Sequence, residues 1–134
     1  MMQLIYLDSC IVIYLVERHV RYFPLIRQAL SSRAEAVLSV SPLVMLEVLV
    51  RPVRQRNELL VTRFQRYLST QRQLPLLDPI FTIALDLRAH HGLKTPDALH
   101  LATAMHHGCT EFWTNDERLA DVAPNLAVNV LVHQ

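Results

Sequence analysis

The sequence predicts an α/β fold in which a central parallel sheet of about four or five strands is flanked by helices on both faces. Short apolar runs of strand length alternate along the chain with longer amphipathic segments, and strands that alternate with helices pair in parallel beneath those helices. Apolar residues make up 51% of the 134 residues and charged residues 19%, which is typical of an ordered globular protein. This length corresponds most simply to one domain, residues 1–134, with enough chain for a sizeable core.

The first forty residues are predicted to contain two strands with two helices between them. The continuous apolar run from Leu4 to Leu7 is typical of a buried strand, and Ser9 can cap the helix that follows it. Apolar side chains from Tyr22 to Leu30 then recur at helical spacing. The predicted elements are strand 4–7, helix 10–16, helix 20–30 and strand 36–40.

Proline and glycine mark the ends of the later predicted elements. Ser41 and Thr95 each precede a proline, the order of an N-cap and a first helical residue. Pro52 is expected to end the first of these helices, because the residue before a proline avoids helical geometry, and Gly92 and Gly108 are expected to end two others. The predicted elements are helices 43–50, 57–69, 79–90 and 96–107, an edge strand 74–77, a strand 111–114, a short helix 116–120 and a last strand 127–131.

Several classes of protein are excluded by what the sequence lacks. No apolar run reaches the roughly 18 residues that span a bilayer, and the first residues lack the basic region of a secretory signal. Cys10 and Cys109 have no metal-ligand spacing and suit a reduced compartment. No glycine-rich phosphate loop can be built from two glycines, and no serine or cysteine has a predicted base beside it. We therefore expect a cytoplasmic protein without a membrane segment, a disulfide framework or a zinc site.

Basic residues are concentrated in one part of the chain, although the net charge is only +1. Arginine's planar fork suits phosphate and carboxylate groups, so this segment is a candidate contact for RNA backbone or for an acidic partner. A solvated helix face explains it equally well. Between residues 51 and 72, with Glu58 as the single acid, these arginines are Arg51, Arg54, Arg56, Arg63, Arg66 and Arg72.

Four carboxylates are the candidate functional residues. Asp8 follows the first predicted strand, Asp116 follows the fourth, and Asp97 lies in the first turn of a helix. Each of these aspartates taken alone is explained by helix capping or a turn. Glu47 lies on a helix that is otherwise apolar on every side, so we expect it to be buried and to need a cation or a metal as partner.

Together these acids predict a divalent metal site. The functional crevice of a parallel sheet lies beyond the carboxyl ends of its strands, where the three aspartates are expected. Clustered carboxylates repel one another unless a cation holds them, and oxygen-only ligands suit Mg²⁺ or Mn²⁺. Such a site fits phosphodiester hydrolysis. His100, three residues after Asp97, is predicted to be a buried packing residue rather than a substrate contact.

Four segments of the chain resemble, in order, those of the PIN-domain ribonucleases, most closely the VapC toxins. The resemblance covers essentially the whole length. It implies a parallel sheet flanked by helices, Mg²⁺- or Mn²⁺-dependent cleavage of RNA (often tRNA or rRNA), a homodimer, and a VapB-like antitoxin whose tail covers the active groove. The four segments are LIYLDS at 4–9, SPLVMLEV at 41–48, TPDALHLA at 95–102 and TND at 114–116.

Carried over residue by residue, the resemblance makes Asp8 and Asp97 the principal metal ligands. Glu47 and Asp116 complete the acid cluster, and the hydroxyls of Ser9 and Thr114 support the ligands. Two positions depart from the family's pattern. Cys10 stands where many members have Asn, and Arg118-Leu119 stands where many have a further acid, so either Asp116 acts alone or it shares its place with Glu117.

The sequence therefore predicts a metal-dependent endoribonuclease that acts as the toxin of a toxin–antitoxin pair. Two alternatives stay open at this point. One is a binding or regulatory module that keeps the fold without the chemistry, and the other is a housekeeping nuclease with no antitoxin.

Overall fold

The structure is a computed structural model that describes residues 2–132. Within these residues, no helix has the length and apolar character that a membrane span requires. Five strands and seven helices follow one another along this part of the chain. They are β1 (Leu4–Leu7), α1 (Ser9–Val16), α2 (Tyr22–Ser31), β2 (Val37–Val40), α3 (Pro42–Arg54), α4 (Glu58–Ser69), β3 (Arg72–Gln73), α5 (Asp78–His91), α6 (Thr95–His106), β4 (Glu111–Trp113), α7 (Glu117–Val122) and β5 (Ala127–Val128).

All five strands pair in parallel, in the order β3-β2-β1-β4-β5. β1 is the central strand, and its residues Ile5, Tyr6 and Leu7 have no exposed surface. Right-handed crossovers place α1–α4 on one face of the sheet and α5–α7 on the other; accordingly α1 contacts α2, α3 and α4, while α5 packs against α6. The predicted α/β fold is therefore confirmed.

The strand order reverses between β1 and β4, and this reversal fixes where a site can form. Crossovers lead outward from β1 to β2 and β3, and the chain then returns to β4 on the opposite side of β1. Leu7 pairs with Trp113, so the two strands end level with each other, and the backbone N–H of Asp8 donates to the Trp113 carbonyl at 3.0 Å. In open α/β sheets the crevice at such a reversal is where ligands bind.

The prediction that Pro52 ends its helix is wrong, since α3 continues through it to Arg54. A proline inside a helix loses its own N–H bond and crowds the carbonyl four residues earlier, but later residues can still pair. Here the N–H of Gln55 bonds to the Arg51 carbonyl at 2.9 Å. The helix ends instead where Arg56 takes a positive φ of 55°.

The two short outer strands also differ from prediction. β3 occupies Arg72–Gln73 rather than 74–77, although it is an edge strand as expected. The N–H of Leu74 still bonds to the Val40 carbonyl at 2.9 Å, but Pro75 has no N–H with which to continue the pairing. β5 is limited to Ala127–Val128.

Two predicted N-caps are displaced by one residue, because Asp8 rather than Ser9 caps α1 and Lys94 rather than Thr95 precedes α6. The helix α2 begins at Tyr22 rather than at residue 20, and the other helices begin within one residue of their predicted starts. The two glycine stops are confirmed, because Gly92 and Gly108 adopt φ values of 65° and 72° at the ends of α5 and α6. Such left-handed conformations carry no steric cost for glycine.

Candidate active site

Asp8 is held in place by groups from its own helix and from the neighbouring strand end. One carboxylate oxygen accepts the backbone N–H of Ser9 at 2.8 Å and lies 3.5 Å from the Ser9 hydroxyl. The other oxygen accepts the hydroxyl of buried Thr114 at 2.7 Å. Ser9 and Thr114 therefore contact Asp8, and they fix its orientation at the strand reversal.

Glu47 and His100 meet Asp8 from opposite faces of the sheet. The Nε2 atom of His100 lies 2.5 Å from Glu47 Oε1 and 3.8 Å from Asp8 Oδ1. The potential ligand atoms of Asp8, Glu47 and His100 all lie within 4.8 Å of one another. Although partial burial raises the pKa of Glu47, hydrogen bonds from His100 and Ser9 and the charge of His100 bring it below the usual value. Glu47 is therefore held as a carboxylate.

A chain of buried hydrogen bonds supports His100 from behind. Its Nδ1 atom lies 2.7 Å from the Tyr6 hydroxyl, which lies 2.7 Å from the Ser41 hydroxyl. Because a carboxylate only accepts hydrogen bonds, Nε2 carries the proton shared with Glu47, which leaves Nδ1 to pair with the Tyr6 hydroxyl. Burial raises the pKa of Tyr6, so its hydroxyl keeps its proton.

His100 is buried, as predicted, but its role goes beyond packing. Its side chain anchors Glu47, and sequence reasoning missed this contact. A signal was present, because a buried histidine must find hydrogen-bond partners and His100 lies one helical turn from Asp97. The sequence did not reveal that the partners would come from β1 and α3.

Asp97 and Asp116 form the other half of the acid group, and Arg118 lies between them. The guanidinium of Arg118 lies 2.9 Å from Asp116 and 3.5 Å from Asp97. Hydrogen bonding to Arg118 lowers the pKa of Asp116. The pKa of Asp97 is raised, first by burial and then by the negative charges of Asp116 and Asp8. Asp97 thus lies near both acids, and the nearby Arg118 offsets their charges only in part.

Glu47 is less buried than its apolar helix predicted, so that prediction is wrong. The helix α3 is not buried on every side, because Met45, Leu46 and Val50 are 47%, 61% and 44% exposed, and the Glu47 side chain is itself 30% exposed. Apolar composition alone did not reveal which face of the helix packs against the sheet. His100 nevertheless provides Glu47 with a hydrogen-bond partner inside the protein.

Cys10 lies close to the acid group without joining it. Its thiol donates to the Asn115 side-chain carbonyl at 3.5 Å. Burial and the charge of Asp8 raise the pKa of Cys10 to about 12. A thiol that keeps its proton is a poor metal ligand, so Cys10 does not take the place of a carboxylate here.

The predicted basic segment lies at the surface. Arg51, Arg54, Arg63 and Arg66 are all exposed. Arg63 and Arg66 of α4 line a groove of about 560 Å³ with Arg18, which follows α1. The structure thus adds Arg18 to this pair, while Arg51 and Arg54 lie near the end of α3.

The donor set suits a divalent cation. Asp8 and Glu47 direct half-buried carboxylate oxygens to one place, and Asp97 carries negative charge that a cation would relieve. Hard oxygen donors of this kind are the ligands that ions such as Mg²⁺ and Mn²⁺ prefer.

The family model of the PIN domain matches residues 5–124. No curated protein sequence matches the chain. Among solved structures, the chain is similar to a toxin–antitoxin complex from Klebsiella pneumoniae, with 26% identity, a TM-score of 0.75 and coverage of 93% of this chain and 96% of that one.

Two more distant structures share the fold. VapBC2 from Rickettsia felis, bound to a DNA fragment from its promoter, is 14% identical, with a TM-score of 0.77 and coverage of 95% of this chain and 98% of that one. VapC20 from Mycobacterium tuberculosis, a sarcin-ricin loop cleaving toxin, is 17% identical, with a TM-score of 0.71 and coverage of 89% and 95%. The match over residues 5–124, with this shared fold, means that the chain belongs to the PIN domain family.

Proposed function

We propose that this chain is a divalent-metal-dependent endoribonuclease and the toxin of a toxin–antitoxin pair. The observation that carries the proposal is the convergence of Asp8 and Glu47 at the strand reversal, with Asp97 and Asp116 beside them, in a PIN domain. The proposal includes action in the cytoplasm.

Each acid has a distinct part in the proposed chemistry. Asp8, Glu47 and Asp97 would hold Mg²⁺ or Mn²⁺, with Asp116 rather than Glu117 as the fourth acid, because Asp116 is the one that acts on Asp97. A divalent ion held by these acids would supply a water of lowered pKa and would stabilise the charge that develops on the attacked phosphate. Ser9 and Thr114 orient Asp8, and His100 orients Glu47.

The proposed substrate is RNA, with tRNA and rRNA as the first candidates. Arg63 and Arg66, with Arg18 in the same groove, would contact the phosphate backbone. Arg51 and Arg54 extend the basic surface and are a second candidate contact for RNA or for acidic groups of an antitoxin.

The proposed partners are a VapB-like antitoxin and a second copy of the chain. The similarity to the Klebsiella pneumoniae toxin–antitoxin complex supports the antitoxin. The exposed Met45, Leu46 and Val50 on α3 support a homodimer, because large apolar side chains at a surface commonly mark protein contacts. A small reading frame overlapping the upstream end of the gene would support the toxin, and its absence would favour a housekeeping nuclease.

The test is cleavage of purified tRNA and rRNA in Mn²⁺ by the wild-type protein, Asp97→Asn and Asp86→Asn. Asp86 is an exposed acid on α5 that pairs with His90, so its variant is the matched control. We expect Asp97→Asn to lose cleavage and Asp86→Asn to retain it. Equal cleavage by Asp97→Asn and the wild type would contradict the proposal, and absence of any Mn²⁺-induced stabilisation would favour a non-catalytic module.

A further inference from the structure

Three aromatic rings form a cluster on the surface where α1 ends and α2 begins. This aromatic cluster consists of Tyr14, His19 and Tyr22. The rings of His19 and Tyr22 stack, with 4.6 Å between centroids and 20° between planes, and Tyr14 lies 4.8 Å from Tyr22 and 5.0 Å from His19. All three side chains are half-buried, so each leaves part of its surface open to solvent.

The aromatic cluster is joined to the candidate active site through Asn115. The side-chain amide of Asn115 donates to the Tyr14 hydroxyl at 3.4 Å, and its carbonyl accepts from Cys10 at 3.5 Å. Asn115 is the residue between Thr114 and Asp116. Asp8 and Tyr14 are separated by about 9 Å along the axis of α1, which two or three stacked nucleotides at about 3.4 Å each would span.

Guanidinium groups flank the rings. Arg21 lies over Tyr22, 5.6 Å from its ring centroid, and Arg18 lies 5.7 Å from the neighbouring Phe23 ring. Both arginines are exposed. Aromatic faces combined with guanidinium groups are the surfaces on which proteins stack unpaired RNA bases while pairing with the phosphates.

We propose that the aromatic cluster is a base-stacking subsite that holds an unpaired nucleotide of the substrate two or three positions from the scissile phosphate. This subsite rests on the proposed ribonuclease function. It predicts a preference for single-stranded or looped RNA, since a base inside a duplex is already stacked and paired. The ring of His19 also accepts hydrogen bonds from the backbone N–H groups of Arg21 and Tyr22 at the start of α2. A substitution of His19 would therefore disturb the local structure as well as RNA binding, so Tyr22 and Arg21 are the better residues to substitute.

The test is binding of an RNA strand that carries 2-aminopurine, measured by fluorescence in EDTA. Tyr22→Leu keeps the apolar bulk but removes the aromatic face, and we expect its Kd for single-stranded RNA to rise about 5- to 100-fold, with loss of the 2-aminopurine quenching. Tyr22→Phe keeps the aromatic ring, so we expect it to bind single-stranded RNA as the wild type does. Phe81→Leu, the same kind of exchange at an exposed ring on α5, should bind as the wild type does. Duplex RNA should not distinguish the wild type from Tyr22→Leu.

Arg21→Gln provides a second, surface variant whose folding is not in question, and we expect it to weaken single-strand binding and reduce its salt dependence. Unchanged single-strand binding by both folded variants would overturn the subsite while leaving the proposed function standing. Weakened binding of an antitoxin peptide alone, with RNA binding unchanged, would also overturn it. A wild-type protein that neither binds nor cleaves RNA would overturn the proposed function and the subsite together.

Discussion

Exchanging His100 tests whether this side chain positions Glu47. Two substitutions separate the two hydrogen bonds of His100. The side-chain amide of Gln can occupy the position of Nε2, and the side-chain amide of Asn can occupy the position of Nδ1. His100→Gln retains a donor for Glu47 and loses the Tyr6 contact, whereas His100→Asn retains the Tyr6 contact and releases Glu47. Tyr6 keeps Ser41 as a partner in every variant.

The magnitudes follow from the two hydrogen bonds. A bond between neutral groups contributes about 0.5–1.5 kcal/mol and one to a charged group about 1.5–3 kcal/mol. His100→Ala loses both, so the free energy of unfolding should fall by about 2–4 kcal/mol, or roughly 6–12 °C in Tm for a chain of this size. His100→Gln should lose about 1 kcal/mol. In His100→Asn the free energy of unfolding should fall by about 1.5 kcal/mol. This is the lower end of the range for a hydrogen bond to a charged group, because water can reach the Glu47 carboxylate.

The functional effect separates the two variants more sharply than stability does. Loss of a group that orients a metal ligand typically weakens metal binding about 10- to 100-fold. We therefore expect His100→Asn to bind Mn²⁺ that much more weakly, while His100→Gln stays close to the wild type. Urea unfolding and calorimetric titration with Mn²⁺ measure the two quantities. Equal Mn²⁺ affinity in His100→Asn and the wild type would refute the positioning role.

Four further outcomes follow from charged residues in and around the site. The pKa of Asp97 is raised in the folded protein, so its carboxylate destabilises the metal-free fold above that pKa and ceases to do so as the pH falls. Asp97→Asn should therefore raise the metal-free Tm at pH 7, and a lowered Tm would contradict this. Arg118 holds the pKa of Asp116 below its usual value of 3.8, so this pair stabilises the fold above pH 3.8 and ceases to do so as the pH falls further. In Arg118→Gln, the free energy of unfolding should therefore decrease less as the pH is lowered, as measured by urea unfolding at a series of pH values. An unchanged pH profile would count against this role of Arg118. The same variant should bind Mn²⁺ about two- to fivefold more tightly in calorimetry, because an exposed cation near the acids is removed, and weaker binding would refute that reasoning. Replacing Arg63 and Arg66 with Ala should weaken RNA binding and reduce the salt slope by about 1.4, or 0.7 per phosphate contact on a single strand; an unchanged slope would exclude them from the interface.

Local sequence patterns were sufficient for the fold and for the placement of three acids. Asp8, Asp97 and Asp116 were expected at one edge because each lies at the end or start of an element, and the carboxyl ends of parallel strands meet there. The ends of helices were less predictable. A proline at position 52 is compatible with a helix when the residues beyond it find their own partners, and local sequence does not reveal this.

Contacts between distant elements account for what the sequence could not supply. His100 reaches Glu47 across the edge of the sheet, and their positions are 53 residues apart. The sequence indicates only that Arg118 stands where many family members have a further acid, whereas the structure places its guanidinium between Asp97 and Asp116. The aromatic cluster depends on how the chain turns between α1 and α2, which no spacing rule describes.

The most direct test of the proposed site is RNA cleavage by the EDTA-treated protein as Mn²⁺ is added back. We predict no cleavage in EDTA, full restoration in the wild type, and a midpoint shifted to higher Mn²⁺ in Glu47→Gln, because one ligand is weakened. Asp8→Asn should not be restored, since it removes a principal ligand from the strand reversal. Cleavage that persists in EDTA, or that follows the same Mn²⁺ dependence in Asp8→Asn as in the wild type, would contradict the assignment of these acids to the metal.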